Sequence, residues 1–298
     1  MTVTHTRRAA GYRFSLAVDD VELSRYLDEL FAGLVPCDDR VDATDRSVGG
    51  WSVGNRLVGS WSVASWSVSR ASDEDRWVFA IDGEERVRAD HPEELVAPMV
   101  QTLNTEAIGA WPGSVCHAGG VSLDGRAVVL PADPESGKTT LTAGLVRAGF
   151  AYVSDEGVAF DVGTTRIEPY PKPLSLDRGS WALFPELEPH AGFATDAYKR
   201  DQWQVPPTAF RPDAVSGPCD ARFVVFPKYV EGATTELTPM GRAEALVELA
   251  KNTFHFNARS RAALEELDPV VRACTCHRLT VGALETAVAC VTELVSGD

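Results

Sequence analysis

Residues 132–139, Ala-Asp-Pro-Glu-Ser-Gly-Lys-Thr, carry the residue types of a phosphate-binding loop. Such a loop follows the pattern G-x-x-x-x-G-K-[ST], and here the first glycine alone is replaced, by Ala132. Its backbone N–H groups surround phosphate oxygens, its lysine adds positive charge at the β- and γ-phosphates, and its hydroxyl ligates Mg²⁺. We therefore predict that a nucleotide binds at Ala132, Asp133, Pro134, Glu135, Ser136, Gly137, Lys138, Thr139 and Thr140.

The flanking sequence is that of a strand followed by a helix. Residues 126–132 are apolar and rich in β-formers, and residues 138–150 combine helix formers with apolar side chains near helical spacing. Alanine is acceptable at position 132 only if φ stays negative there, and the acidic side chains of Asp133 and Glu135 must point away from a bound phosphate. The alternative interpretation is a Gly-Lys-Thr helix start that arises by chance.

An acidic pair, Asp155-Glu156, lies in a second β-rich segment at residues 150–160. A carboxylate beside the strand of a phosphate-binding loop is where such sites hold Mg²⁺. Two carboxylates can also divide the work, because one can organise the metal while the other accepts a proton from an attacking hydroxyl. We predict that Thr139, Asp155 and Glu156 are the candidate metal ligands, and that one of the two acids accepts the proton.

A histidine precedes the loop. Residues 114–130 are typical of a β-hairpin with its turn at Asp124-Gly125, which places His117 on the strand before the loop strand. A lone histidine is more often structural, but one in register with a phosphate loop and an acidic pair is a candidate catalytic residue.

Taken together, these segments resemble the kinase domain of HPr kinase/phosphorylase and, more closely, the broad group of HPr-kinase-related kinases. The resemblance rests on His117-Ala-Gly, the loop and Tyr-Val-Ser-Asp-Glu at 152–156, and it extends over about residues 110–298 through segments 169–176, 222–256 and 277–295. It implies an α/β fold, namely a PEP-carboxykinase-like P-loop kinase domain with a mixed β-sheet. It also implies ATP and Mg²⁺ as cofactors, a serine-like acceptor and assembly into a homo-oligomer.

The resemblance also assigns roles to individual residues. Lys138 would hold the β- and γ-phosphates, Asp155 would take the proton of the acceptor hydroxyl, and His117 matches a family histidine beside the acidic pair. Glu156 stands where the family usually has a second aspartate at the metal. The Gly-Arg-Asn signature of true HPr kinase/phosphorylases is absent, so neither HPr as acceptor nor the reverse reaction follows from the resemblance.

Three further cations, Lys172, Arg178 and Lys228, are candidates for contacts to substrate or phosphate. Lys172 lies in a proline-spaced segment whose rigidity suits a clamp, and Arg178 follows six residues later. The alternative for Lys172 is a solvated loop lysine, and Lys228 faces either the nucleotide or solvent. A transferring phosphoryl group needs at least one such cation, but sequence does not choose among them.

Composition excludes some classes of function. The 298-residue chain has a formal net charge of −15 and no cluster of basic residues, which opposes nucleic-acid binding. It has no apolar run of membrane length and no apolar signal core, so we expect a soluble cytoplasmic protein without a membrane partner. Cys-Thr-Cys-His at 274–277 lacks a second pair of ligands, which favours a strand with buried thiols over a metal site.

Residues 1–110 are predicted to form a smaller α+β domain for substrate or partner recognition, and residues 111–298 the catalytic domain. In the first part, residues 14–18 are typical of a strand, and residues 20–34 of an amphipathic helix capped by Asp19 or Asp20. Trp-Ser-Val occurs at 51, 61 and 66, which indicates either a hairpin with one buried face or an aromatic strand edge that binds a peptide by strand addition.

The C-terminal part is helical in pattern. Residues 241–271 are typical of two consecutive helices, and residues 281–297 of a last one. Asn252 and His255 are expected on one helix face, where they either approach the nucleotide or pack at the helix end.

The main hypothesis is a Mg²⁺-dependent kinase that transfers the γ-phosphate of ATP to a hydroxyl of a peptide, a carrier protein or a small molecule. The donor is open among ATP, ADP and pyrophosphate. The rival hypothesis is a catalytically degraded nucleotide-binding scaffold or sensor that binds a partner through its N-terminal β region. A plain NTPase would need a visible water-positioning residue, and a carboxykinase would need a metal-ligand set that the sequence does not display.

Overall fold

The computed structural model describes residues 3–37, 51–53, 56–58, 63–71, 76–187 and 202–297. The chain divides into two compact units, the first comprising Met1–Pro112 and Ser175–Pro206 and the second Gly113–Leu174 and Pro207–Asp298. The first boundary falls next to the predicted one after residue 110. Residues 175–206 interrupt the second unit, an insertion that the predicted boundaries do not include.

The chain contains runs of consecutive strands separated by α-helices. The strands are β1 (Val3–Ala9), β2 (Tyr12–Val18), β3 (Val35–Pro36), β4 (Trp51–Val53), β5 (Arg56–Val58), β6 (Ala64–Arg70), β7 (Trp77–Ile81), β8 (Glu84–Ala89), β9 (Val115–Leu123), β10 (Arg126–Pro131), β11 (Ala151–Ser154), β12 (Gly157–Phe160), β13 (Arg166–Glu168), β14 (Leu174–Asp177), β15 (Gln202–Val205), β16 (Cys219–Tyr229), β17 (Glu236–Pro239) and β18 (Thr275–Val281). The α-helices are α1 (Val21–Leu30), α2 (Val96–Ala110), α3 (Lys138–Arg147), α4 (Arg242–Lys251), α5 (Phe256–Ala273) and α6 (Leu284–Ser296).

The first unit is built on a six-stranded sheet in the order β3-β1-β2-β6-β7-β8, in which β2 and β6 run parallel. Alternate residues of β2 are buried, as period-two patterning requires of a strand with one face in the core. Helix α1 begins after Asp20, whose side chain accepts from the Leu23 N–H at 2.8 Å. The predicted strand at 14–18 is therefore confirmed, and the cap is Asp20 rather than Asp19.

The Trp-Ser-Val copy at residue 66 lies inside this sheet. Strand β6 pairs with β2 on one side and with β7 on the other, and Trp66 is fully buried with its Nε1 donating to Tyr12 Oη at 2.9 Å. The hypothesis of a peptide-binding aromatic edge is wrong for this copy, because both edges of its strand are already paired. The copy at 51 forms β4, which pairs with β5, and the copy at 61 lies outside the described residues.

The second unit is built on an eight-stranded mixed sheet in which β9, β10, β16, β13 and β12 pair in a closed circuit. The predicted hairpin at 114–130 is confirmed as β9 and β10, and both turn residues, Asp124 and Gly125, have positive φ. The α/β class with a mixed sheet is confirmed, and the assignment to a PEP-carboxykinase-like fold stays a prediction.

The strand predicted to end at the acidic pair is β11, and the rest of segment 150–160 forms a second strand, β12; the two follow one another along β9. The course is interrupted at Asp155 and Glu156, where the N–H groups of Glu156 and Gly157 both donate to Ser154 Oγ at 3.2 Å. An interruption of this kind redirects side chains that would otherwise alternate across a strand. The acidic pair therefore lies at a local break in the sheet.

The four helices of the second unit lie against this sheet. Helices α4 and α5 cover a core to which β9, β10 and β16 contribute, and α3 packs against β9 and α6. The predicted pair of helices in 241–271 and the terminal helix are confirmed. Among the described residues, none of the helices combines the length and the apolar character that crossing a membrane requires.

Candidate functional site

The loop between β10 and α3 turns sharply enough to expose the start of the helix. Its backbone is left-handed at Glu135 (φ 62°) and at Gly137 (φ 83°), whereas Ala132 does not have positive φ. Alanine at position 132 therefore introduces no backbone strain, and the side chains of Asp133 and Glu135 are exposed. Because the first N–H groups of an α-helix have no intrahelical acceptor, the start of α3 suits an anion.

Lys138 is the first residue of α3, and its side chain is buried, with 7% of the residue exposed. Its Nζ lies 2.6 Å from His117 Nε2. Burial lowers the pKa of Lys138 to about 8, although Glu156 and Asp155 act in the opposite direction. The lysine is therefore still mostly charged at neutral pH and donates to the histidine.

His117 is a neutral hydrogen-bond acceptor in this arrangement. Burial, followed by the charge of Lys138, lowers the pKa of His117 to about 4, against the opposing effects of Asp133 and Asp155. Because the imidazole is neutral near pH 7, its approach to Glu156 Oε1 at 3.8 Å is not an ion pair. His117 therefore orients the Lys138 ammonium without adding a second positive charge.

The turn between α4 and α5 supports this histidine from the other side. The His117 backbone N–H donates to Asn252 O at 2.6 Å, and the Phe254 ring packs edge-on against the imidazole at 5.5 Å between ring centroids. Asn252 caps α4 and His255 has φ 56° in the turn, so the expectation that both lie on one helix face is wrong. Helix α4 ends at Lys251 and α5 begins at Phe256, so both residues belong to the connection between the two helices.

Asp155 is almost completely buried, with 1% exposed, and its Oδ1 receives two strong hydrogen bonds. Tyr152 Oη donates at 2.7 Å, and Lys172 Nζ lies 2.7 Å from the same oxygen. Burial and the adjacent Asp155 carboxylate raise the pKa of Tyr152 well above its ordinary value, so the phenol remains a donor. The predicted proton acceptor is thus held in a fixed place by two neighbours.

Lys172 is fully buried and also donates to the Pro173 carbonyl at 2.8 Å. The alternative of a solvated loop lysine is wrong, because the side chain is an ion-pair partner in the interior. Its role as a direct clamp on phosphate stays a prediction. In this structure its charge is directed at Asp155.

Whereas the Asp155 side chain lies against Lys172 and Tyr152, the Glu156 side chain lies near His117. About 29% of its side chain is exposed, and its carbonyl accepts from the Ala118 N–H at 3.2 Å. Its carboxylate lies near both His117 and Lys138, as their contacts and the electrostatic effect on Lys138 indicate. Glu156 is the more accessible of the two acids.

Gly119 lets α3 approach β9 closely enough to bring Lys138 to His117. A Cβ at this position would lie 2.3 Å from Thr142 Oγ1 and 3.3 Å from Lys138 Cγ. Any larger residue would therefore displace the first turns of the helix.

The remaining predicted contacts differ in where they lie. Lys228 is exposed near the end of β16, and the next residue, Tyr229, donates its N–H to Ser136 O of the loop at 3.1 Å. Thr139 and Thr140 are partly buried in the first turn of α3. Arg178 belongs to the first unit, where its guanidinium lies 5.4 Å from the centre of the Trp181 ring.

Sequence reasoning missed Tyr152 and Phe254 as parts of the site. Tyr152 carried a usable signal, since it lies three residues before Asp155 in the segment that forms the sheet break. Phe254 carried none, because its contact with His117 depends on how the α4–α5 turn meets β9.

The residues present suit a magnesium nucleotide better than a metal ion alone. Across the described ranges, no group of three or more His, Cys, Asp or Glu side chains is arranged to hold a metal ion. Magnesium is usually bound by one or two carboxylates together with substrate phosphates and water rather than by an all-protein cage. Glu156 and the Thr139 hydroxyl would supply those protein oxygens, and Lys138 with the start of α3 would receive the phosphates. Metal ligation by Asp155 stays a prediction.

Comparison with protein-family models gives no match, and comparison with curated proteins gives none either. Among solved structures, this chain is similar to one described as the HPr(Ser) kinase/phosphatase from Coxiella burnetii, with 11% sequence identity and a TM-score of 0.32. The similarity covers 61% of this chain and 95% of that chain. At this level of similarity, the chemistry of the site rests on the residues described above.

Proposed function

We propose that this protein is a phosphotransferase that moves the γ-phosphoryl group of ATP, with Mg²⁺, onto a hydroxyl acceptor. The observation that carries the proposal is the meeting of Lys138, His117, Asp155 and Glu156 at the start of α3, directly after the loop at 132–137. A buried lysine at a helix start with two carboxylates nearby is the set of groups that phosphoryl transfer needs.

The residues divide the work as follows. The Lys138 ammonium binds the β- and γ-phosphates together with backbone N–H groups of the loop, and neutral His117 orients that ammonium. Asp155 accepts the proton of the incoming hydroxyl, and Glu156 with Thr139 holds the metal. Bound Mg²⁺ would offset charge on the phosphates. The resemblance found in the sequence supports a serine-like acceptor in a peptide, a carrier protein or a small molecule.

One observation favours a second candidate function, a nucleotide-binding scaffold or sensor. Asp155 is buried, and its Oδ1 already receives hydrogen bonds from Tyr152 and Lys172. These two donors occupy the lone pairs of Oδ1, so that oxygen has no place left for the proton of an incoming hydroxyl. A site of this kind could bind nucleotide without transferring its phosphate.

A phosphorylation assay followed by mass spectrometry separates the two functions. The full chain is incubated with ATP and Mg²⁺ and with free serine, a carrier protein or a peptide encoded by an adjacent gene. We expect phosphate on an acceptor hydroxyl, with the rate reduced about 10²–10⁴-fold in Lys138→Ala and in Asp155→Asn. Lys251→Ala is the matched control, because Lys251 is an exposed lysine of the same unit paired with Glu248 at 2.8 Å.

ATP binding, measured by calorimetry on the same proteins, decides what a negative result means. Binding without transfer to any acceptor or to water favours the scaffold or sensor. Absence of both binding and transfer in the wild type would refute the kinase proposal and the scaffold alternative together.

A further inference from the structure

Lys172 and Asp155 form the most deeply buried ion pair described in the second unit. Lys172 is 0% exposed and Asp155 is 1% exposed, and 2.7 Å separates Nζ from Oδ1. Removing two charges from water costs several kcal/mol per ion, so a buried pair is seldom a net gain in stability over apolar residues of similar size. The pair therefore calls for an explanation other than stability.

The backbone around Lys172 is restricted in a way that places this side chain beside Asp155. Pro171 and Pro173 flank the lysine and restrict the chain on both sides. The Tyr170 N–H donates to Val153 O at 3.0 Å, which ties the segment to β11 two residues before Asp155. The Lys172 N–H in turn donates to Tyr170 O at 2.9 Å. This segment fixes the backbone from which the side chain starts, and the contacts of Nζ with Pro173 O and Asp155 Oδ1 restrict the side chain itself.

Two cations and two carboxylates meet at the site, and each of the two lysines has a different nearest partner. Lys138 lies at 2.6 Å from neutral His117, whereas Lys172 lies at 2.7 Å from Asp155. Both Asp155 and Glu156 also attract the Lys138 ammonium, and Lys172 repels it. With Asp155 neutralised by Lys172, Lys138 is less strongly drawn to that carboxylate and is available for phosphate.

We propose that Lys172 is a positioning residue which, together with Tyr152, fixes the Asp155 carboxylate for phosphoryl transfer and keeps Lys138 directed at the nucleotide. This inference rests on the proposed kinase function. Lys172 acts through Asp155 and does not touch the substrate. Tyr152 holds the same carboxylate oxygen from the side of β11.

A double-mutant cycle tests the proposal. Lys172→Met keeps an unbranched side chain of nearly the same length and removes its charge, and Asp155→Asn removes the charge of its partner. If Lys172 acts only through Asp155, Lys172→Met lowers kcat at least about 30-fold in the wild type but by less than about twofold in Asp155→Asn. Its KM for ATP, and its ATP affinity measured by calorimetry, change by less than about threefold, because the phosphate contacts remain.

The double variant of the cycle, together with Tyr152→Phe and a control lysine, guards the test against misfolding. Lys172→Met alone leaves a buried carboxylate without its cation and is prone to misfold, whereas the Lys172→Met/Asp155→Asn double variant buries no unpaired charge. Tyr152→Phe removes a single donor and no charge, and we expect a loss in kcat of about 3–10-fold that disappears in the Asp155→Asn background. Lys251→Met is the control for removal of a lysine charge elsewhere in the unit and leaves kcat unchanged.

The outcomes are distinct. An active wild type whose kcat is unaffected by Lys172→Met and Tyr152→Phe refutes the positioning role and leaves the kinase proposal intact. Equal losses from Lys172→Met in the presence and absence of the Asp155 carboxylate mean an independent role, such as direct phosphate contact, and also refute it. A wild type that transfers no phosphate removes both proposals.

Discussion

Replacement of Gly119 by alanine should show how closely α3 must approach β9 for the site to form. The added Cβ would lie 2.3 Å from Thr142 Oγ1, about 1.1 Å inside the 3.4 Å at which ordinary van der Waals contact begins. Thr142 is fully buried, and its hydroxyl donates to Lys138 O at 2.9 Å, so it has no solvent into which to rotate. The clash must therefore move the helix or break this hydrogen bond.

The magnitude follows from these two terms. Overpacking of a filled core costs about 1–3 kcal/mol, and the loss of a buried hydrogen bond costs about 1 kcal/mol. We expect Gly119→Ala to lower the free energy of unfolding of the second unit by about 2–4 kcal/mol. Displacement of Lys138 by about 1 Å should also lower the rate of the proposed transfer by about 100-fold.

The assay can observe the second unit separately. All seven tryptophans fall in the first unit, so tryptophan fluorescence reports its unfolding in urea, while hydrogen exchange of peptides from 113–174 and 207–297 reports the second. Gly119→Ala should loosen the second unit and leave the fluorescence transition unchanged. Gly217→Ala is the control, because a Cβ there meets no described heavy atom within 4 Å.

A compensating change makes the reasoning refutable. Thr142→Ala removes the hydroxyl that the new Cβ meets, so the Gly119→Ala/Thr142→Ala double variant should recover at least half of the stability lost by Gly119→Ala. If Gly119→Ala lies within about 0.5 kcal/mol of the wild type, or if the two changes simply add, the close approach of α3 to β9 does not govern this site.

Two further predictions concern neighbouring groups. The pKa of about 4 for folded His117 lies below its ordinary value, so the unfolded chain binds more protons than the folded one between about pH 4 and 6.5. The free energy of unfolding therefore falls as the pH drops through that range. The loss is at most about 3 kcal/mol, and solvent screening reduces it because a fifth of the side chain is exposed. His117→Gln should reduce the difference between urea unfolding at pH 4.5 and at pH 7, and an unchanged difference would assign it to other groups. Glu135→Gly should raise the free energy of unfolding by about 0.5–1 kcal/mol, since a φ of 62° strains a residue with a Cβ. It should leave the ATP affinity measured by calorimetry unchanged, because the Glu135 side chain is exposed. A loss of affinity would contradict this view of the loop.

Local signals in the sequence were sufficient for the framework of the site. The apolar run before the loop and the Gly-Lys-Thr start of α3 predict their elements because strand and helix formers, turn glycines and period are properties of neighbouring residues. The Asp124-Gly125 turn is of the same kind, and it fixed the hairpin that carries His117. Even the outward direction of Asp133 and Glu135 followed from the local chemistry of the loop.

Contacts between distant segments were beyond the same reasoning. The sequence left Lys172 open between a clamp on phosphate and a solvated loop lysine, because nothing within its own segment shows that the chain folds it onto Asp155. The Trp66 strand looked like an edge candidate because pairing with β2 and β7 depends on the order of strands in the sheet. The insertion of residues 175–206 into the first unit depends likewise on tertiary packing.

The buried ion pair bears on the choice between kinase and scaffold. A scaffold that only binds nucleotide needs Lys138 and the loop, and it gains nothing from a carboxylate that must be neutralised in the interior. Apolar residues of similar volume at 155 and 172 would hold β11 in place at no greater cost in stability. A carboxylate kept 99% buried, with a lysine and a tyrosine directed at one oxygen, is instead what fixed geometry for a reacting group requires. The pair therefore favours phosphoryl transfer over nucleotide binding alone.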